Sequence, residues 1–295
     1  MEKFITRTIS CLKAQDAPHL EFLLINDGST DSTLSLMREL CAGDPRFQIY
    51  DMENRGYGHA CNFGIKKATG EFFAIFEPDD YISPNFYSVL LDTAERYPQA
   101  DVIKYNGIYR VNDTNTDTLY RWNSRFTGKI LDKYALKRFW RSHPSVFNGI
   151  YRKSFIEQKM AFFCETPGAS FQDAMFMVSL FYANPSIFIV DDIKYYYTIH
   201  EMQSTKHLDD KILFVTKAWE LEDIWLSMNG IKDRNFFLYR IFCQMKTLDQ
   251  KISPDNKYIL NQKFKEINKN NVYLNCMIAT IPQKLGYTFY NRSFN

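Results

Sequence analysis

Three carboxylates crowd around one proline at the end of an apolar run, "EFFAIFEPDDYISP", residues 71 to 84, where the acids are Glu77, Asp79 and Asp80. Proline and aspartate are favoured turn residues and Pro84 is placed to open a helix, so a plain turn accounts for any single acid. The cluster asks for more. Like charges this close repel, and a divalent cation removes the repulsion by accepting hard oxygen ligands while leaving positions for phosphate oxygens. A metal at this tip would neutralise a diphosphate and help it depart. A second acid, Asp27, ends another apolar run in "LLINDGSTD". Gly28 suits a tight turn and Ser29, Thr30 or Asp31 a helix cap. Asp27 is not needed for the cap, and a carboxylate there suits the ring N–H of a nucleobase.

The elements that must hold these acids alternate. "EKFITRTISCLKAQ" has Phe4, Ile5, Thr8, Ile9 and Leu12 at helical spacing, and "LEFLLIND" is a nearly continuous apolar strand. "STDSTLSLMRELC" then predicts a helix, "FQIYD" a strand, "GHACNFGIKKAT" a helix and "EFFAIFE" a strand. Such alternation predicts an α/β fold with right-handed crossovers and a mostly parallel sheet covered by helices on both faces. Ligands of open sheets gather at the carboxyl ends of the strands, where Asp27 and the acid cluster both fall. Further on, short strands are predicted at "ADVIKYNGIYRV", "VFNGIYR", "SIFIV" and "KYYYTI". A helix after "PGASFQD" carries Ala174, Met177, Val178, Phe181 and Tyr182 as an apolar stripe. From about Leu208, "KILFVTKAWELEDIWLSM", "NFFLYRIFCQMKTL" and "KYILNQKFKEI" read as successive amphipathic helices. The expected division is an α/β domain over 1–205 and a helical region over 206–295.

Composition removes several classes. The chain has 295 residues, 45% of them hydrophobic and 24% charged, which suits a soluble globular protein with a full core. A formal charge of +2, with no block of basic residues, argues against a nucleic-acid partner. Six cysteines lie far apart with no CxxC pair, so neither a zinc site nor a disulfide framework is suggested, and a reducing cytoplasm is the expected location. No apolar stretch is long enough to span a bilayer, and "MEKFITRTIS" lacks the apolar core of a secretory signal.

Taken in order, "INDGSTDSTLSLM", "NRGYGHACNFGIKKATGEFFAIFEPDDYISP" and "PGASFQDAMF" resemble the inverting nucleotide-sugar glycosyltransferases of family 2, with the GT-A fold, over about residues 1 to 200. "GYGHACNFG", "EPDD" and "ETPGASFQD" are similar to a bacterial subgroup concerned with surface polysaccharides. The resemblance implies transfer of a sugar from a UDP-sugar, with inversion, to a glycan or lipid-linked glycan acceptor, assisted by Mg²⁺ or Mn²⁺. Position by position, it implies that Asp27 contacts the base, Asp79 the ribose or the metal, and Asp80 the metal. Glu77 stands where the family often has aspartate, for the sugar or for local hydrogen bonds. Asp173 falls on the general base, and as an acid at a helix start it is also favoured by the helix dipole. Gln172 beside it is expected at the sugar. His59 and Asn62 are expected near phosphate or base, with capping and packing as alternatives, while Cys61 stands where many relatives have arginine. His143 and Asn148 in "HPSVFNGIYR" are expected to line the acceptor pocket, or else to be a core segment with one buried amide. His200 and Lys206 are expected at the diphosphate, or in a solvated loop. Asp173 would take the proton of an acceptor hydroxyl as that oxygen attacks the anomeric carbon opposite the diphosphate. A retaining hydrolase needs two carboxylates facing each other across the sugar, and no such pairing is evident.

Members of the family open with an apolar strand ahead of the helix that here comes first. The expectation is therefore that this chain starts one strand into the fold. A non-catalytic nucleotide-sugar or glycan-binding relative, or an inactive fragment, is the second reading. A third is an interaction module built on the last helices. There Lys251, Lys257, Lys263, Lys265 and Lys269 would touch the inner face of a membrane holding a lipid-linked acceptor, or simply form a solvated face.

Overall fold

The computed structural model describes residues 1–112, 118–121, 126–141, 145–168, 171–201, 203, 209–249 and 251–269. His143, Lys206 and Cys276 lie outside them. Helix α1 (Glu2–Lys13) buries Ile5, Thr8, Ile9 and Leu12, the stripe its spacing predicts. Strand β1 (Phe22–Asp27) runs parallel to β2 (Phe47–Met52), with α2 (Thr33–Cys41) as the crossover. Asp31 accepts the Thr33 N–H at 3.1 Å and so serves the start of α2, as expected. Gly28 has φ +70°, and a Cβ there would meet the Asn54 nitrogen at 2.7 Å, so this turn needs glycine.

Helix α3 (Tyr57–Lys67) packs on β1 and leads to β3 (Phe72–Phe73), β4 (Tyr81–Ile82) and α4 (Phe86–Arg96). The strand expected over 71–77 is thus cut to two residues. β3 pairs antiparallel with β9 (Gly149–Arg152), and 74–77 join no ladder among the described residues. The chain then turns, the Asp80 N–H donating to the Glu77 carbonyl at 3.1 Å with Pro78 at the second turn position. β5 (Val102–Tyr105) and β6 (Gly107–Val111) split the run predicted at "ADVIKYNGIYRV". β7 (Thr118–Arg121), β8 (Lys129–Ile130), α5 (Lys133–Arg141), α6 (Lys153–Gln158), α7 (Gln172–Ala183), β10 (Ile187–Val190) and β11 (Tyr195–Thr198) complete the α/β part. The strands form a pair β1-β2, a five-stranded sheet β3-β9-β5-β10-β8 and a four-stranded sheet β4-β11-β6-β7. Parallel pairing holds for β1–β2, β5–β10 and β6–β11, while the shorter strands add antiparallel neighbours.

Three helices follow as the amphipathic patterns predict: α8 (Ile212–Met228), α9 (Asn235–Leu248) and α10 (Pro254–Asn268). Their Trp219, Trp225, Phe237 and Leu260 share one apolar core with Phe73, Trp140, Phe163, Met175 and Phe176. A second core joins Ile5, Ile9, Leu12, Phe22 and Leu24 to Phe86, Leu90, Ile103 and Tyr105. Among the described residues no helix is long and apolar enough to cross a membrane. On the basic face of α10, Lys257 pairs with Asp249 at 3.5 Å, and Lys263 with Glu220 at 2.6 Å and Glu266 at 2.9 Å. Much of that charge is therefore spent within the helical region.

Candidate active site

The tip after β3 is pinned from below by α1. Thr8 donates its hydroxyl to the Pro78 carbonyl, Arg7 donates to the Asp79 carbonyl, and Cys11 bonds both backbone groups of Ile82. Arg7 also lies 5.1 Å from the Tyr81 ring centroid. With the turn fixed, its three acids take different directions. Glu77 accepts from the Tyr57 hydroxyl at 2.6 Å. Burial pushes its carboxyl up to about 7; Tyr57 pulls it down, and the charges of Asp79 and Asp173 push it further up. Asp79 is 23% exposed, with its Oδ2 at 2.9 Å from His200 Nε2. The His200 ring packs on Phe4 with centroids 4.7 Å apart, and its Nδ1 has no hydrogen-bond partner among the described residues.

Asp80 turns inward and is fully buried. Its Oδ2 accepts from the Tyr195 hydroxyl at 2.6 Å and its Oδ1 from the Thr198 N–H at 2.8 Å, both on β11. Burial, then the Asp79 charge, drives its carboxyl upward, against these two donors. This arrangement corrects the expectation that Asp80 binds the metal, because the carboxylate is fully buried, out of reach of a ligand at the tip, and its oxygens tie the start of β4 to β11. Among the described residues no group of three or more His, Cys, Asp or Glu converges as a cation site. The donor set fits a divalent ion held by Asp79 together with phosphate oxygens, with His200 adjacent, since such ions are often bound through one carboxylate plus substrate phosphates.

At the tip of β1, Asp27 accepts the Arg55 N–H at 2.8 Å and the Gly56 N–H at 2.9 Å, closing the loop into α3. Each oxygen keeps a lone pair for a further donor. Its neighbour Asn26 is buried, donating to Asp51 at 2.7 Å. Helix α3 reaches the other wall through glycine. A Cβ on Gly58 would lie 1.9 Å from the Cys164 carbonyl, and one on Gly56 2.5 Å from that of Thr166. His59 Nδ1 stands 3.0 Å from Glu165, and Asn62 exchanges hydrogen bonds with the Phe163 backbone at 2.9 and 3.0 Å while donating to Glu165 at 2.9 Å. Asn62 therefore clamps the segment ahead of α7 with its whole amide, which is the packing role that stood as the alternative to a contact with phosphate or base. Gln172, 1% exposed, gives its amide N–H groups to Thr166 and Gly168 and so shapes the same segment, which removes it from the sugar. Asn148, fully buried, accepts from Ser145 and donates to the Tyr105 and Gly107 carbonyls; it is the buried core amide and not an acceptor contact.

Asp173 lies in the first turn of α7, after Phe171 in the left-handed conformation. It is half-buried. Burial raises its carboxyl above the ordinary range, opposed first by the charge of Arg240 on α9 and then by backbone N–H groups at the helix start. Tyr57 connects the two halves: its hydroxyl holds Glu77, and its ionisation feels Cys61, Glu77 and Asp173. Asp79, Glu77 and Asp173 thus share one electrostatic neighbourhood. Tyr57, Arg7, Glu222 and Arg240 were not anticipated from the sequence. A signal existed for Glu222, which occupies the buried face of α8 with Val215, Ala218, Trp219, Trp225 and Leu226.

The Glycosyl transferase family 2 profile matches residues 2–183. The chain belongs to this family. EpsH of Bacillus subtilis (strain 168) is 27% identical over 201 residues, which cover 68% of this chain and 58% of EpsH. EpsJ of the same organism, an uncharacterized glycosyltransferase, is 22% identical over 283 residues, 90% of this chain and 80% of EpsJ. Among solved structures, S. aureus TarS 1-349 in complex with UDP-GlcNAc superposes with a TM-score of 0.64 at 20% identity, covering 90% of this chain and 78% of that one. The mannosyltransferase PcManGT from Pyrobaculum calidifontis, in complex with GDP-Man and Mn²⁺, gives 0.57 at 12% identity, covering 99% and 80%. These likenesses give the GT-A fold of the family 2 chain.

Proposed function

We propose that this family 2 chain transfers a sugar from a UDP-sugar to a hydroxyl of a glycan or lipid-linked glycan, with inversion at the anomeric carbon. The reading rests on one observation: Glu77, held by the Tyr57 hydroxyl at 2.6 Å, shares its tip with the partly exposed Asp79 and has its carboxyl pushed up by the charges of both Asp79 and Asp173. That TarS was crystallised with UDP-GlcNAc supports a uridine donor. Asp27 would receive the base N–H, and a lipid-linked acceptor would bring the enzyme to the cytoplasmic face of a membrane.

In the reaction a carboxylate oxygen of Asp173 accepts the proton of the acceptor hydroxyl. The hydroxyl oxygen forms its bond to the anomeric carbon as the bond from that carbon to the diphosphate breaks, and the diphosphate leaves with the electron pair. One displacement inverts the centre, and no covalent bond to the enzyme forms. Burial that raises Asp173 makes it a better base than an exposed aspartate, while the Arg240 charge keeps it from being protonated too readily. Glu77, pushed up to about 7 and held by Tyr57, suits a hydrogen bond to a sugar hydroxyl more than a metal. Asp79, beside His200, would hold Mg²⁺ or Mn²⁺, which when bound supplies positive charge to the leaving diphosphate. A panel of UDP-sugars, assayed for UDP release with and without Mn²⁺, tests the reading. Metal-dependent release that Asp79→Asn abolishes is expected. Tight UDP binding with no release from any donor, in the presence of glycan acceptors, favours the non-catalytic relative instead.

A further inference from the structure

Asp79 meets two basic side chains, one from the first helix of the α/β part and one from just beyond its last strand. Its Oδ2 lies 2.9 Å from His200 Nε2, and its backbone carbonyl accepts from Arg7 Nη2. The same Nη2 donates to Thr198 Oγ1 at 3.0 Å, so a single guanidinium nitrogen bridges the turn after Glu77 and the end of β11. The turn carrying His200 is built on Thr198, whose N–H reaches Asp80 Oδ1 at 2.8 Å and whose carbonyl accepts from the Gln203 amide at 2.7 Å. One turn before Arg7 on α1, Phe4 supports the His200 ring, with centroids 4.7 Å apart. The guanidinium lies 5.7 Å from the Phe4 centroid and 5.1 Å from that of Tyr81, the residue after Asp80. Phe4 and Arg7, three residues apart on the helix, thus present one face to the Asp79–His200 pair.

We propose that Arg7 is a positioning residue for the donor site, its bridge between the Asp79 carbonyl and Thr198 holding Asp79 and His200 in the arrangement that receives a divalent ion with the donor diphosphate. The proposal rests on Asp79 being the metal ligand. Two side chains on separate segments lose freedom when a ligand brings them together, and a bridge that has already joined the segments lowers that cost. Hydrogen-bonded partners behind a ligating carboxylate act on metal affinity in this way. Charge argues in the opposite direction, because a guanidinium beside a cation site repels the cation. Removing Arg7 therefore weakens metal binding if its hydrogen bonds matter most, and tightens it if its charge does. The sign of the effect separates the two.

Free Mn²⁺ counted by electron paramagnetic resonance, on the full chain with saturating UDP, reads metal affinity whether or not the chain transfers sugar. Arg7→Met should weaken Mn²⁺ binding by about 10-fold. The Mn²⁺ concentration for half-maximal UDP release should rise with it, while kcat at saturating Mn²⁺ stays near the wild-type value. Arg7→Lys keeps one nitrogen able to reach both acceptors and should return most of the affinity. Unchanged or tighter Mn²⁺ binding in Arg7→Met, even with a lowered melting temperature, overturns the inference alone. A wild-type chain that binds no Mn²⁺ in the presence of UDP overturns the metal reading of Asp79, and the inference falls with it. Should Arg7→Met fail to fold, Thr198→Val removes the hydroxyl and keeps the N–H to Asp80. Its Mn²⁺ binding must weaken too, and binding at the wild-type level overturns the bridge.

Discussion

Replacing Asp80 separates a scaffold from a metal ligand. Its two oxygens take a hydroxyl from Tyr195 and a backbone N–H from Thr198, at 2.6 and 2.8 Å, with the carboxylate fully buried. Asp80→Ala strands both donors. Hydrogen bonds to a charged group contribute roughly 1.5–3 kcal/mol each, so the gross loss is about 3–6 kcal/mol. Desolvating an ionised Asp80 beside Asp79 has its own cost, which drives the carboxyl upward and offsets part of the loss. The lower end, about 3 kcal/mol, is therefore expected, and at roughly 2–4 °C per kcal/mol the melting temperature falls on the order of 10 °C. Tyr195→Phe keeps the ring stacked on Phe147, with centroids 4.6 Å apart, and removes only one donor, so it should lie between wild type and Asp80→Ala. The assay is thermal unfolding followed by circular dichroism, with Mn²⁺ dependence of UDP release measured on the same preparations. Asp79→Asn should do the reverse, abolishing metal-dependent release with little change in melting. An Asp80→Ala protein that melts with wild type yet loses its metal response would make Asp80 a metal ligand after all.

Two further outcomes follow from packing and charge. Gly58→Ala puts a methyl 1.9 Å from the Cys164 carbonyl, a backbone atom, so the segment leading to α7 must shift; sugar transfer should fall by ~10-fold or more. Gly64→Ala, 3.7 Å from Ile25, should be tolerated in the same helix, and steady-state kinetics of the pair checks both. Glu222 ionises near 4.5 when unfolded, while burial pushes it up to about 8 in the fold, with Arg240 opposing and Asp173 adding. The folded chain thus holds a proton that the unfolded chain has released, and stability falls as pH rises from about 4.5 to about 8. Glu222→Gln should remove this part of the decline, on the order of a few kcal/mol, in urea unfolding at either end of the window.

Local pattern carried most of the secondary structure. The spacing of Ile5, Thr8, Ile9 and Leu12 marks α1, and the three last helices stand where their apolar stripes put them. The family motifs located the tip and Asp173. What they could not assign was direction. Asp79 and Asp80 are neighbours with the same chemistry, and the choice of which turns inward is made by Tyr195 and Thr198, more than a hundred residues later. Asn62 and Gln172 likewise look like ligand-binding amides until the backbone of 163–168 takes their hydrogen bonds. The expected strand over 71–77 shrank to Phe72 and Phe73 because ladder partners, not apolar residues alone, define a strand. Glu222 was legible in principle, as an acid on the buried stripe of an amphipathic helix.

The base proposed for the transfer is Asp173, acting where the Asp79 tip receives the donor. UDP affinity and single-turnover sugar transfer, measured together on wild type and Asp173→Asn, test it most directly. Unchanged UDP binding with transfer slowed by about 10²–10⁴-fold is expected. Transfer at the wild-type rate in Asp173→Asn would contradict it.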